Sequence, residues 1–313
     1  MNEKIFKRDS KTILSFLFAF AILYLLITRA NLRETVRIIS NADLILYLLA
    51  ILYLFPSFLI RSYRWKILLE NVRYTGKLRD LNEVVVLSFF VNCIVPAKVG
   101  DIYRCYLMKK NFQQSISKVL GTVFVERSLD TIGISVIFLL SAFMSFRVIP
   151  GNVLRLMEFG VIITVLFILL LILLKYQNTK IAKFMPGKSS ELMLRFGEGA
   201  SGSLKSSSLP MISITTIFLW LLEGGRLFLV MKSIGLILPF AMILFVALAS
   251  ALATAFPLTP AGLGAVELVM AGLLILVGIN KDMAVSVAIM DRFISYWCIL
   301  ILGGIIYALS SKT

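Results

Sequence analysis

The chain is a succession of apolar runs joined by short polar connections, and this pattern narrows the fold more than any motif does. The runs occupy about 12–28, 43–60, 84–95, 116–145, 153–174, 209–231, 238–256, 263–279 and 283–308. Several reach the roughly 20 residues that carry a helix across a bilayer core about 30 Å thick. In lipid every backbone N–H and C=O must find a partner within the protein, so runs of this kind fold as helices. Composition agrees: 59% of residues are hydrophobic and 16% charged, against about 45–50% and 25% in soluble domains. The expected fold is an all-α polytopic membrane protein with about six to eight transmembrane helices. A single domain covers residues 1–313, with approximate halves 1–150 and 151–313. The basic N-terminus with Lys4, Lys7, Arg8 and Lys11 resembles a signal peptide, but no small-residue cleavage site follows, so a retained first helix is expected.

Two places break the helical pattern. The 84–95 run is too short to span and stops at Pro96, because the residue before a proline is pushed out of the α region. Gly100 then lets the backbone reverse. The second break packs Pro257, Pro260, Gly262 and Gly264 into a few residues. Both contain Pro-Ala-x-(Val/Leu)-Gly, at Pro96–Gly100 and at Pro260–Gly264. Irregular backbone at membrane depth is tolerated only where it is packed in protein or lines a wet cavity. Re-entrant segments are therefore expected, although 238–279 also fits two full spans. Asn92, four residues before Pro96, is placed to satisfy freed backbone groups.

Basic residues fix the orientation. With the first break entered from the cytoplasm and the second from outside, 22 of the 32 Lys and Arg fall on the cytoplasmic side and seven outside. That bias places both termini in the cytoplasm of a prokaryotic inner membrane. It also accounts for the net charge of +15 without a nucleic-acid partner. The polar stretch 175–208 becomes a cytoplasmic loop with an amphipathic piece near Glu191–Phe196. The Arg61–Lys66 stretch, with Tyr63 and Trp65, has the composition of an interfacial anchor.

The order of features repeats. Pro96 and Gly100 recur 164 residues later as Pro260 and Gly264, and Arg61 and Arg127 recur one residue beyond that shift as Arg226 and Arg292. Each half reads as helix, arginine-bearing helix, broken hairpin and charged helix, in opposite orientations. An inverted 3+3 repeat has this form, with sites at the midplane built from discontinuous helices.

Ionisable residues inside the apolar runs mark the candidate site, since such groups are costly in lipid and face a protein interior or a water-filled cavity. They are Glu126, Arg127 and Asp130, then Glu223 and Arg226, Glu267, and Asp291 with Arg292; Lys98, Asp101 and Arg104 follow the first break. One outcome is mutually neutralising pairs that lock helices together; the other is an anion site, for which the planar arginine fork is suited. Glu126 and Asp130 lie four apart on one helix face, and Arg127–Asp130 and Glu223–Arg226 are spaced for pairing. The absence of His and the isolation of Cys93, Cys105 and Cys298 argue against metal, haem and imidazole chemistry. No phosphate-binding GxxxxGK[ST] pattern suggests ATP hydrolysis, and no cofactor is expected.

Taken in order, Arg61-x-x-Arg64-Trp65, Asn92-x-x-x-Pro96-x-x-x-Gly100-Asp101-x-x-Arg104, Glu126-Arg127-x-x-Asp130 and Pro260-x-Gly262-x-Gly264-x-x-Glu267 resemble the lysylphosphatidylglycerol synthase transmembrane region, or flippase-like, family. The resemblance covers nearly the whole chain. Asp101 stands where many members carry Glu, which keeps the charge. Bifunctional members append a soluble aminoacyl-transferase domain, and none is expected here. The family implies translocation of an anionic or phosphate-bearing lipid, an anionic phospholipid or a polyprenyl-phosphate-linked lipid, between leaflets. Two alternatives stay open: a membrane transferase acting on a lipid phosphate, with Glu126, Asp130 or Asp101 as base, and a non-transporting assembly or regulatory protein.

Overall fold

The computed structural model describes residues 2–145, 161–162, 164–166, 168–170, 172–173, 186–254 and 259–312. Pro257, the first part of the 175–208 stretch and most of the run at 153–174 lie outside the described residues. Among those described, every regular element is helical. In chain order they are α1 (Asn2–Arg29), α2 (Leu32–Ser40), α3 (Leu44–Leu52), α4 (Leu54–Asn71), α5 (Leu78–Ile94), α6 (Val99–Phe112) and α7 (Ile116–Met144). There follow α8 (Lys188–Ser203), α9 (Leu209–Ser233), α10 (Phe240–Ala253), α11 (Ala265–Leu276), α12 (Lys281–Arg292) and α13 (Ile299–Leu309). A π-helical segment, Phe293–Cys298, joins α12 to α13. The protein is an all-α polytopic membrane protein.

Among the described residues, three continuous helical stretches are long and apolar enough to cross a bilayer: Leu44–Asn71, Leu209–Ser233 and Lys281–Leu309. The first runs through Tyr53, and Pro56, which lacks an N–H, removes one ladder hydrogen bond without ending it. Helix α7 matches the longest of these, at 29 residues, but its apolar sequence is diluted by Lys118, Glu126, Arg127 and Asp130. Helices α5, α6, α10 and α11 have 17, 14, 14 and 12 residues. At 1.5 Å per residue each falls short of the bilayer core. They form two packed pairs, α5 against α6 and α10 against α11, each joined through one of the breaks.

Hydrogen bonds at the helix ends show where these pairs open. Lys312 donates to Asp80 at the start of α5 (2.9 Å) and also bonds Glu83, and its carbonyl accepts from Asn111 at the end of α6 (3.0 Å). Both ends of the first pair therefore meet at the C-terminus. Asn71 at the end of α4 donates to Ser203 and Ser208 (2.6 Å each), just ahead of α9. At the other end of the bundle, Asp43 donates to the Ser233 carbonyl at 2.7 Å. Nearby, Asn31 donates to Asp282 at 2.8 Å. The segment around α2 thus touches the residues just before α10 and just after α11.

Glycines set the closest helix approaches. A Cβ at Gly100 would lie 1.9 Å from the Ser88 carbonyl oxygen, and one at Gly199 would lie 1.9 Å from that of Lys118. The first contact seats α6 on α5. The second seats α8, which includes the expected amphipathic piece, on α7.

Candidate functional site

The two breaks share left-handed backbone at two matching positions. Ala97 and Lys98 take φ of 64° and 54°, and Ala261 and Gly262 take 46° and 74°. Two successive left-handed residues thus occupy the second and third positions of both Pro-Ala motifs. This conformation costs a non-glycine residue about 1–2 kcal/mol and is sustained only where surrounding contacts impose it.

Those contacts are visible. The Gly100 N–H donates to Asn92 Oδ1 at 2.8 Å, and the Gly264 N–H to Glu267 Oε2 at 2.8 Å. Asn92 thereby takes up an N–H in the first turn of α6. Carbonyls freed at the breaks are also taken up: Tyr296 Oη donates to the Cys93 carbonyl (2.9 Å), and Arg292 Nη2 to that of Ala261 (3.0 Å). Tyr296 reaches Cys93 from the π-helical segment, a distortion frequent at functional sites.

The turns flank a cavity of about 230 Å³. Its wall includes Phe89 and Asn92 of α5, Lys98 and Asp101 at the first turn, and Thr259, Ala261 and Gly262 at the second. Arg61 of α4, Arg127 of α7, Glu223 and Arg226 of α9, and Asp291, Arg292 and Ser295 near the π segment add its other charged groups and a hydroxyl, with Ser57, Ser250 and Thr254 also on the wall. The volume is below the roughly 300–1,000 Å³ of a drug-sized ligand site.

Ion pairs organise the wall. Arg61 Nη2 lies 3.0 Å from Glu223 Oε1, and Arg226 contacts both Glu223 and Asp291, the latter at 3.0 Å. Arg127 lies 3.2 Å from Asp101 and 3.4 Å from Asp130. Arg292 lies 3.1 Å from Glu267. Behind the wall, Arg64 is fully buried, 2.7 Å from Asp130 and 3.4 Å from Glu126, and donates to Thr216 Oγ1 at 2.9 Å. Arg104, also fully buried, holds Glu126 at 2.5 Å with its guanidinium 4.2 Å from the Trp65 ring centroid.

The halves share a pairing rule. Glu126-Arg127 and Asp291-Arg292 are both carboxylate–arginine dipeptides. In each, the carboxylate pairs with an arginine of the half's long arginine-bearing helix (Arg64, Arg226). The arginine pairs with a carboxylate just beyond the half's own break (Asp101, Glu267).

Of the residues expected at the site, Lys98, Asp101, Arg127, Glu223, Arg226, Asp291 and Arg292 share the cavity wall. Glu126, Asp130 and Glu267 stand behind it, holding arginines. Arg104 was expected at the entrance and is instead enclosed, because Glu126 and the Trp65 face draw its side chain inward. The interfacial-anchor expectation for Arg61–Lys66 also fails. Arg61, Arg64 and Trp65 are buried, since α7 and α9 supply carboxylates and hydroxyls that an interface would otherwise replace with water. Lys98 makes no ion pair among the described residues. Sequence reasoning missed Thr259, Ser295 and the site role of Arg61; the Arg61–Arg226 spacing was the signal that pointed to the last.

The lysylphosphatidylglycerol synthase TM region model matches residues 12–303. The chain belongs to that family. Members similar to it include a UPF0104 membrane protein of Methanocaldococcus jannaschii, 37% identical over 219 residues, covering 70% of this chain and 93% of the relative. A UPF0104 membrane protein of Pyrococcus horikoshii is 29% identical, covering 90% and 92%. One from Methanothermobacter thermautotrophicus is 27% identical, covering 86% and 85%.

Proposed function

We propose that the protein translocates a lipid with an anionic or phosphate-bearing headgroup between leaflets. The observation that carries this reading is the charged, headgroup-sized cavity bounded by two broken helices with left-handed backbone at matching positions. In this mechanism the headgroup crosses through the cavity while the acyl chains stay in lipid. The arginines replace the water lost from the headgroup, and the carboxylates keep the empty site near neutrality.

The α5–α6 and α10–α11 pairs act as re-entrant hairpins entering from opposite faces. Two features support this: both ends of the first pair contact Lys312, and the segment around α2 contacts both flanks of the second. The halves then form an inverted repeat, and the excess of basic residues near Lys312 and Asn71 supports placing that face and both termini in the cytoplasm, at a prokaryotic inner membrane.

The test is translocation of fluorescent lipids in proteoliposomes containing the purified chain. Anionic, zwitterionic and polyprenyl-phosphate lipids should be compared with empty vesicles. Acceleration for an anionic lipid is expected. No acceleration for any of the three classes contradicts the reading.

A further inference from the structure

On the cavity wall one carboxylate holds one arginine by itself. Arg61, Glu223, Arg226 and Asp291 form a cluster of two cations and two anions. Arg226 contacts both carboxylates, so it keeps Asp291 when Glu223 loses its charge. Arg61 has Glu223 alone within ion-pair distance among the described residues. The other wall carboxylates have no such hold: Asp101 pairs with Arg127, which also has Asp130, and Asp291 pairs with Arg226. Glu223 is also the most accessible of the three, its side chain 16% exposed against 12% for Asp101 and 2% for Asp291. Arg61 has a seat without it, since its guanidinium lies 5.2 Å from the Phe89 ring centroid and 5.6 Å from that of Trp220.

The elements packed on α9 bring a defined set of ionisable groups to this cluster. Helix α10 brings none, and α3 brings Tyr47, whose hydroxyl donates to the Met290 carbonyl at 3.0 Å, with Tyr53 at its end. Helix α4 brings Arg61 with Arg64 behind it, α7 brings Arg127 and Asp130, and α12 brings Asp291 and Arg292. Lys98 and Asp101 stand on the first turn across the cavity.

We infer that the protein carries a proton with each anionic headgroup, and that Glu223 is the group that binds it. This rests on the lipid-anion reading above. In the empty site Glu223 is ionised and paired, and its cluster is neutral. An anion entering beside Arg61 and Arg226 adds a negative charge that an enclosed wall holds only at a cost. A proton taken from water by the Glu223 carboxylate cancels that charge and leaves a neutral acid. The Glu223–Arg61 pair then opens, and the freed Arg61 N–H groups donate to the anion. After the headgroup leaves on the other face, the acid returns its proton to the water there and the pair re-forms. One negative charge and one proton cross together, so the step moves no net charge. A proton gradient thereby drives transport in a chain whose sequence has no nucleotide-binding pattern.

Titration calorimetry of the full chain in detergent micelles, with dihexanoyl phosphatidylglycerol as the probe, reads the coupling in buffers of different ionisation enthalpy. The native chain should take up about one proton per probe bound. A site that gains a proton on binding weakens as protons become scarce, so affinity should fall about tenfold for each unit rise in pH. Glu223→Gln, which does not titrate, should bind with no proton uptake and with an affinity independent of pH, and Glu223→Asp should restore both dependences. Binding by the native chain without proton uptake would overturn the inference and leave the lipid-anion reading standing. Uptake retained in Glu223→Gln would overturn the assignment to Glu223. Failure of the probe to bind would sink the lipid-anion reading, and this inference with it. In proteoliposomes, one pH unit across the membrane should draw tail-labelled phosphatidylglycerol about tenfold toward the alkaline leaflet, over times at which empty vesicles show no shift. Equal leaflets under that gradient, with translocation still accelerated, would overturn the coupling alone.

Discussion

Arg64 is fully enclosed and shared by Asp130, Glu126 and Thr216, so its removal strands buried carboxylates without touching the cavity wall. Breaking a buried pair from one side costs about 3–5 kcal/mol. Arg64→Met should therefore lower the thermal unfolding temperature in detergent sharply, and an unchanged temperature would show that the pair is dispensable. Asn92→Leu removes the acceptor of the Gly100 N–H, a capping-type loss of about 1–2 kcal/mol, and should lower stability by a smaller step. At this scale the sequence was partly legible. Charges within apolar runs announced a buried network, and helix spacing gave the Arg127–Asp130 and Glu223–Arg226 pairs. Arg104 was misplaced because its destination depends on Trp65, which is distant in sequence. Arg61 and Arg64 looked interfacial because Tyr63, Trp65 and Lys66 beside them have that composition.

The breaks are the elements on which the site depends. Proline and glycine marked them in the sequence, and the repeat of spacing marked them as related. Of the paired left-handed conformations at Ala97–Lys98 and Ala261–Gly262, only that of Gly262 had a signal, since alanine and lysine carry no preference for that region. The π segment was equally hidden, because nothing in Phe293–Cys298 departs from an ordinary apolar helix. Gly100→Ala would drive a methyl group to within 1.9 Å of the Ser88 carbonyl, and backbone cannot yield as a side chain does. Overpacking of this kind costs about 1–3 kcal/mol or more. The variant should show a lower unfolding temperature, with α6 displaced from α5, as read by faster hydrogen exchange over 88–105. Wild-type exchange there would mean that the helices are not as closely seated as described.

For the whole molecule, the run pattern announced the membrane fold, while span counting was less direct. Helices α5, α6, α10 and α11 are too short to cross alone, and α7 is long but charged. The proposed mechanism makes the wall arginines necessary together. Arg127→Ala and Arg226→Ala should each reduce lipid translocation by tenfold or more; if both variants fold and transport at the wild-type rate, the headgroup does not travel through this cavity. The central claim is that the two Pro-Ala turns are halves of one site approached from opposite faces. Its most direct test is cysteine accessibility in sealed, oriented vesicles, with Cys93, Cys105 and Cys298 replaced by alanine. A membrane-impermeant thiol reagent should modify Ala97→Cys from the cytoplasmic face and Ala261→Cys from the outer face, and modification of both from the same face would contradict the claim.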